Sequence, residues 1–214
     1  MSYNQGPNGW NEWFSVVDLN ALISIWGREN DLGIVNFEEN SIGYKYTKSL
    51  DNNYYIKTDI GLENITEVDT LQFVDKSIDV QKDIINVFNL VKGKNDITGK
   101  IYRLYNSALG RFPDFSGLTY WINQNNYGID SYRKTAQSFI LSNEFKILYG
   151  EDSTDHVYIS SLYSNILNRK ADREGYNYWL NQLEKGYEDR SEILMGFSES
   201  LENQSIFSNE TSIF

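Results

Sequence analysis

One phrase occurs twice in this chain, and that constrains its fold more than any other feature. LYNSALGRFPDFSGLTYWINQ, starting at Leu104, returns as LYSNILNRKADREGYNYWLNQ starting at Leu162, with a gapless offset of 58 residues. Ile101, Leu104, Tyr105 and Leu109 thereby coincide with Ile159, Leu162, Tyr163 and Leu167. Arg111, Asp114, Gly117, Tyr120 and Trp121 coincide with Arg169, Asp172, Gly175, Tyr178 and Trp179, and Gly128 and Phe139 with Gly186 and Phe197. A tandem unit of this kind is one that cannot bury its apolar face alone and stacks on its twin.

Within each copy the spacing predicts three helices. Ile101, Leu104, Tyr105, Ala108 and Leu109 form one apolar stripe at helical period, repeated by Ile159, Leu162, Tyr163, Ile166 and Leu167. Gly110 and Asn168 follow, two residue types that tolerate the left-handed geometry of a helix C-cap. Asp114 and Asp172 precede the next apolar run and read as N-caps, each worth about 1 kcal/mol. Arg111 and Arg169 sit at the end of the preceding helix, where a cation meets the last carbonyls and the neighbouring Asp. Gly117 and Gly175 lie in a first helical turn, where glycine costs propensity, and read as room for a close helix crossing. Trp121 and Trp179 face the core. The third helix follows Asp130-Ser131 or Asp189, and the segment Phe145–Tyr149 joins the copies. The recurring residues read as corners and interior.

Upstream the period changes from helical to two. Ile42, Tyr44 and Tyr46 alternate with small or polar residues, and Tyr54, Ile56 and Thr58 follow the turn-like Asp51-Asn52-Asn53, which is a hairpin pattern. Thr70–Phe73 and Ser77–Val80 form a second. Trp10, Trp13, Phe14, Val17, Leu22, Ile25 and Trp26 suggest an amphipathic helix ended by Gly27, Gln81–Val91 a helix or buried connector, and Lys92–Asp96 a linker. The expected fold class is α+β: a small β-rich unit over residues 1–95 with an N-terminal helix, then an all-α domain over 96–214 with copies at about 101–150 and 159–208.

Chemistry is sparse. A net charge of −11 repels phosphate backbones, which argues against nucleic acid and anionic lipid. No apolar run is long enough to span a membrane, and MSYNQGPNGWNEW lacks the basic and apolar regions of a signal peptide. With no cysteine there is neither disulfide nor thiolate chemistry. The one histidine, His156, reads as part of the acidic loop that begins at Glu151, with no nucleophile motif beside it, and no phosphate loop or dinucleotide fingerprint occurs. Carboxylates abound, yet no spacing singles out a glycosidase pair. No cofactor is expected. Calcium is the one ion weighed, on Glu151, Asp152, Asp155, Asp114 and Asp172, although the EF-hand order is absent. The abundant tyrosines suit rims of small cores. On the β-rich unit, Tyr44, Tyr46, Tyr54 and Tyr55 are candidates for stacking on sugar.

LGRFPDFSGLTYW and NRKADREGYNYW resemble the LGRxPDxxGLxYW signature of the DUF4214 family, over about residues 97–203. Copy two departs from it at Asn168 and at Lys170-Ala171, where copy one has Gly110 and Phe112-Pro113. The resemblance implies a helical fold similar to the phycobilisome linker domain, and a non-catalytic module whose motif residues are structural. GLENITEVDTLQFVDKSIDV resembles the segment preceding such domains in RTX-associated exported bacterial proteins, and the tail Ser208–Phe214 resembles a type I secretion signal. The expectation is a non-enzymatic interaction or structural module of a secreted or cell-surface assembly, binding a protein partner or itself, with a cytoplasmic location left open. The alternative is a carbohydrate-binding module that uses the β-unit tyrosines.

Overall fold

A computed structural model of the chain describes residues 33–214, so the helix expected around Trp10–Trp26 lies outside the described residues. The fold class is α+β, as expected. Among the described residues six short strands come first: β1 Ile34–Asn36, β2 Lys45–Lys48, β3 Tyr54–Thr58, β4 Gly61–Asn64, β5 Thr70–Gln72 and β6 Ser77–Asp79. Both predicted hairpins form, with Tyr46 opposite Ile56 and Leu71 opposite Ile78. Two strands had no clear alternation to betray them. β4 extends the first hairpin into a three-stranded antiparallel sheet, and β1 joins the second through a parallel ladder on β5. A π-helix, Val80–Ile85, then runs into the short α1, Asn86–Leu90.

The repeat holds four helices per copy, one more than the spacing predicts. Copy one is α2 Ile97–Leu109, α3 Phe115–Asn126, α4 Tyr132–Ile140 and α5 Asn143–Tyr149. Copy two is α6 Asp155–Leu167, α7 Arg173–Glu184, α8 Arg190–Ser198 and α9 Leu201–Thr211. The segment read as a joint between copies is α5, a repeated element in its own right. Its cap proves the equivalence: Ser142 accepts from the Phe145 amide at 3.1 Å, and Ser200 from the Asn203 amide at 3.2 Å. The identities Ser142/Ser200 and Glu144/Glu202 continue the same offset and carried this signal in the sequence.

The other caps follow the sequence closely. Asp114 and Asp172 accept from the Gly117 and Gly175 amides at 2.7 and 2.8 Å, and Asp189 builds a full capping box with Glu192. Gly110 and Asn168 both end their helices left-handed, at φ 66° and 53°.

The two copies share one core rather than owning one each. Leu104, Ala108, Phe139 and Phe145 of copy one pack with Ile159, Leu162, Ile193 and Phe197 of copy two. A second core lies between the β sheets around Ile56, Leu71, Phe73 and Ile84. A third joins the units, with Val87 and Val91 against Ile101, Tyr102, Leu118, Ile122 and Phe207. The stretch read as a linker is accordingly pinned: the Lys92 amide donates to Thr98 Oγ1 at 2.8 Å, and the Lys94 carbonyl accepts from Arg103 at 2.7 Å. The tail is tied in as well, since Ser212 Oγ donates to the Lys48 carbonyl at 2.6 Å and Ile213 packs on the third core. Among the described residues no helix is long and apolar enough to cross a membrane.

Candidate interaction site

The repeated motif residues gather at the turn between the first and second helix of each copy. In copy one, Arg111 lies across the ring of Tyr105, 5.2 Å from its centroid, and donates to the Tyr105 hydroxyl at 3.1 Å. It also grips Glu144 on α5 through two nitrogens and reaches Asp114 at 3.5 Å. The Tyr105 hydroxyl in turn donates to Asp114. Copy two repeats the frame. Arg169 lies 4.9 Å from the Tyr163 centroid, pairs with Glu202 at 2.8 and 2.9 Å, and meets Asp172 at 3.3 Å. The partners Glu144 and Glu202 escaped sequence reasoning, although they sit at the repeat offset like the residues that were recognised.

Gly117 and Gly175 answer a different need from the predicted helix crossing. A Cβ on Gly117 would stand 2.9 Å from the Tyr105 hydroxyl, and on Gly175 2.2 Å from the Tyr163 hydroxyl. The glycines make room for a tyrosine from the preceding helix, which holds the turn closed. Trp121 and Trp179 are half-buried against Phe139 and Phe197, at ring distances of 5.3 and 5.5 Å. Tyr120 and Tyr178 point outward, each 52% exposed and edge-on to its neighbouring tryptophan. The tryptophans therefore do not converge with the Arg–Asp corner on a common cleft.

The electrostatics of the corner suit a clamp better than proton transfer. Burial alone would raise the Asp114 carboxyl, but the Tyr105 hydroxyl, the Gly117 amide, Ser116 and Arg111 together hold it down at about 2. Burial and the Asp114 charge push the Tyr105 hydroxyl up. Asp172 is lowered too, chiefly by the Gly175 amide. None of these groups sits near neutrality, where general acid–base catalysis is efficient.

Other sequence candidates are engaged in local pairings. His156 is in the first turn of α6, not in the acidic loop, with Nδ1 2.7 Å from the Tyr176 hydroxyl. Asp155 pairs with Arg190 and Glu151 with Lys146, both at 2.8–2.9 Å. Among the described residues no three His, Cys, Asp or Glu side chains converge as a metal site. Of the β-unit tyrosines, Tyr46 and Tyr54 are buried, and Tyr44 and Tyr55 are half-buried. Tyr46 is spent edge-on to Phe112 at 4.9 Å, which glues the β-rich unit to the copy-one corner. These four rings form no exposed sugar-stacking platform.

Residues 136–207 match the family model described as Domain of unknown function (DUF4214). The match supports that domain family over a stretch running from α4 through α9, and so includes the copy-two corner and the packing of α4 on α8. It begins beyond the copy-one corner, where the signature reads most clearly. No curated protein matches the chain, and no solved structure does either.

Proposed function

We propose that this chain is a non-enzymatic interaction and structural module of a bacterial secreted or cell-surface assembly, in which the DUF4214-like repeat docks protein partners. One observation carries the reading. The polar side chains that the duplication retained at the two corners are paired with one another, where they lock helix to helix, and the Asp114 carboxyl is held down at about 2. Conserving a clamp in duplicate is what a rigid scaffold requires, whereas catalysis needs a poised acid, base or nucleophile. The finer likenesses, to phycobilisome-linker helical domains and to segments of RTX-associated exported proteins, point in the same direction.

Cross-linking in native extracts, read by mass spectrometry, tests the proposal. A reproducible protein partner or self-adduct is expected, and a chain that remains uncrosslinked and monomeric would overturn it.

A further inference from the structure

The β-rich unit packs on the copy-one corner and contributes nothing to the copy-two corner. The helical wall of the first is formed by Tyr102, Asn106, Gly110, Arg111 and Phe112, and it faces Ile42–Tyr46 across a cavity of about 70 Å³, while Arg111, Phe112, Asp114 and Glu144 border a second groove of about 510 Å³ whose other wall includes Ile42, Tyr46 and Ser77 of the β-rich unit. The corresponding wall, Ser160, Ser164, Asn168, Arg169 and Lys170, borders a groove of about 790 Å³ to which the β-rich unit contributes nothing. The Asp N-cap, the left-handed helix stop and the pairing of the arginine with a Glu and an Asp recur in both. The covering chemistry differs at several positions together: Lys170 stands where copy one has Phe112, Arg173 where it has Phe115, and Ser160 where it has Tyr102. An aromatic socket filled by apolar neighbours in one copy has become a basic socket in the other.

Lys170 and Arg173 are exposed and carry no ion pair among the described residues, whereas Arg169 is held by Glu202 and Asp172. Tyr176 lines the groove with a half-buried ring. Two unpaired cations beside an aromatic ring, on a chain of net charge −11, call for an acidic occupant with some apolar surface. The chain displays such a surface at its β3–β4 hairpin. Asp59 is exposed at the turn, next to Ile60 at 70% and Leu62 at 58% exposure. Among the described residues β4 is the outer strand of its sheet with no strand on its far edge, and such an edge is the kind that recruits another chain.

We infer that the copy-two corner groove receives the β3–β4 hairpin of a second copy of this chain, with Asp59 against Lys170 and Arg173 and with Ile60 and Leu62 over Tyr176. The inference rests on the reading of the chain as an interaction module and names its partner. Groove and hairpin are different surfaces, so the contact is head-to-tail and generates rings or filaments rather than a closed two-fold pair. Physiological salt, with a Debye length of about 8 Å, screens the mutual repulsion of the acidic bodies more than it weakens a contact ion pair.

Sedimentation velocity of the full chain between about 10 μM and about 1 mM, the range in which modest interfaces populate, is the test. Association that grows with concentration is expected, and Lys170→Glu with Arg173→Glu should weaken it by about tenfold, the effect of losing two exposed charge contacts. Adding Asp59→Lys to that pair should recover most of the loss, and an unchanged melting temperature shows that the variants fold. Association indifferent to the charge reversal would overturn the groove and leave the interaction reading intact. A wild-type chain that is monomeric throughout would also overturn it, and a heterologous adduct in the extract cross-linking would then show that the broader reading survives.

Discussion

Arg103 and Glu199 join the first helix of copy one to the end of the third helix of copy two. The Arg103 side chain is 1% exposed and donates to both Glu199 oxygens, with Nη2 to Oε2 at 2.7 Å and Nε to Oε1 at 3.1 Å. Its remaining reach is used on the Lys94 carbonyl, and the guanidinium lies 5.0 Å from the Phe207 centroid. The pair has no counterpart at the repeat offset, where Ser161 stands for Arg103 and Leu141 for Glu199. It is therefore a contact made by the assembled tandem and not by the duplicated unit.

Glu199→Ala should destabilise the chain by about 3–5 kcal/mol, because it leaves a buried guanidinium without its carboxylate. Arg103→Met combined with Glu199→Leu should recover most of that loss, since replacing both members of a buried pair by apolar groups is often nearly neutral. Urea denaturation of the single and double variants measures both effects. Equal losses in the two would show that packing, not the charge, sets the cost.

Gly99→Ala should cost about 1–3 kcal/mol, the usual penalty for overpacking a filled site. A Cβ there would lie 2.2 Å from the Gly93 carbonyl oxygen and 2.8 Å from that of Lys94, which are backbone atoms that cannot rotate away. The segment 92–96 would have to move, so hydrogen exchange at the Lys92 amide should accelerate together with the drop in melting temperature.

Asp114 should make the copy-one corner acid-sensitive. Its folded-state carboxyl is depressed from 3.8 to about 2, so its contribution is fully present above pH 3.8 and is lost as the pH falls through about 2. Asp114→Ala should cost about 1 kcal/mol at neutral pH, the typical loss of an N-cap. In melting curves followed from pH 5 downward, the wild type should approach this variant as the carboxyl protonates.

Glu210 acts in the opposite sense at the junction of α9 with the β-rich unit. Burial pushes its carboxyl up from 4.5 to about 7, while Lys45 and Lys57 partly oppose the shift. The stability tied to its protonated form is complete below pH 4.5 and lost as the pH rises through about 7. Glu210→Gln should therefore match the wild type near pH 4 and exceed it at pH 8 by about 1–2 kcal/mol, a fraction of the full shift because the side chain keeps some contact with water. Melting temperature against pH for both chains decides it.

Much of this was legible in the residue order. The caps Asp114, Asp172 and Asp189 and the left-handed stops Gly110 and Asn168 lie where local spacing placed them, because a cap satisfies amides only two or three residues away. The fourth helix of each copy was missed for a reason that can be named. Its Ser142/Ser200 and Glu144/Glu202 identities are polar, so a search for apolar periodicity passed over them. The role of Gly117 and Gly175 was not readable, because the tyrosine that needs the space comes from the preceding helix.

The residue order by itself determined the repeat, the caps that bound its longer helices and the two hairpins, since each depends on interactions spanning a turn or two of chain. Only the tertiary structure decided that the two copies share a core, that Arg103 finds a carboxylate 96 residues away, and that the β-rich unit packs on one corner and not on its twin. Those outcomes depend on which surfaces meet after the helices have formed, and a local window holds one side of such a contact without the other.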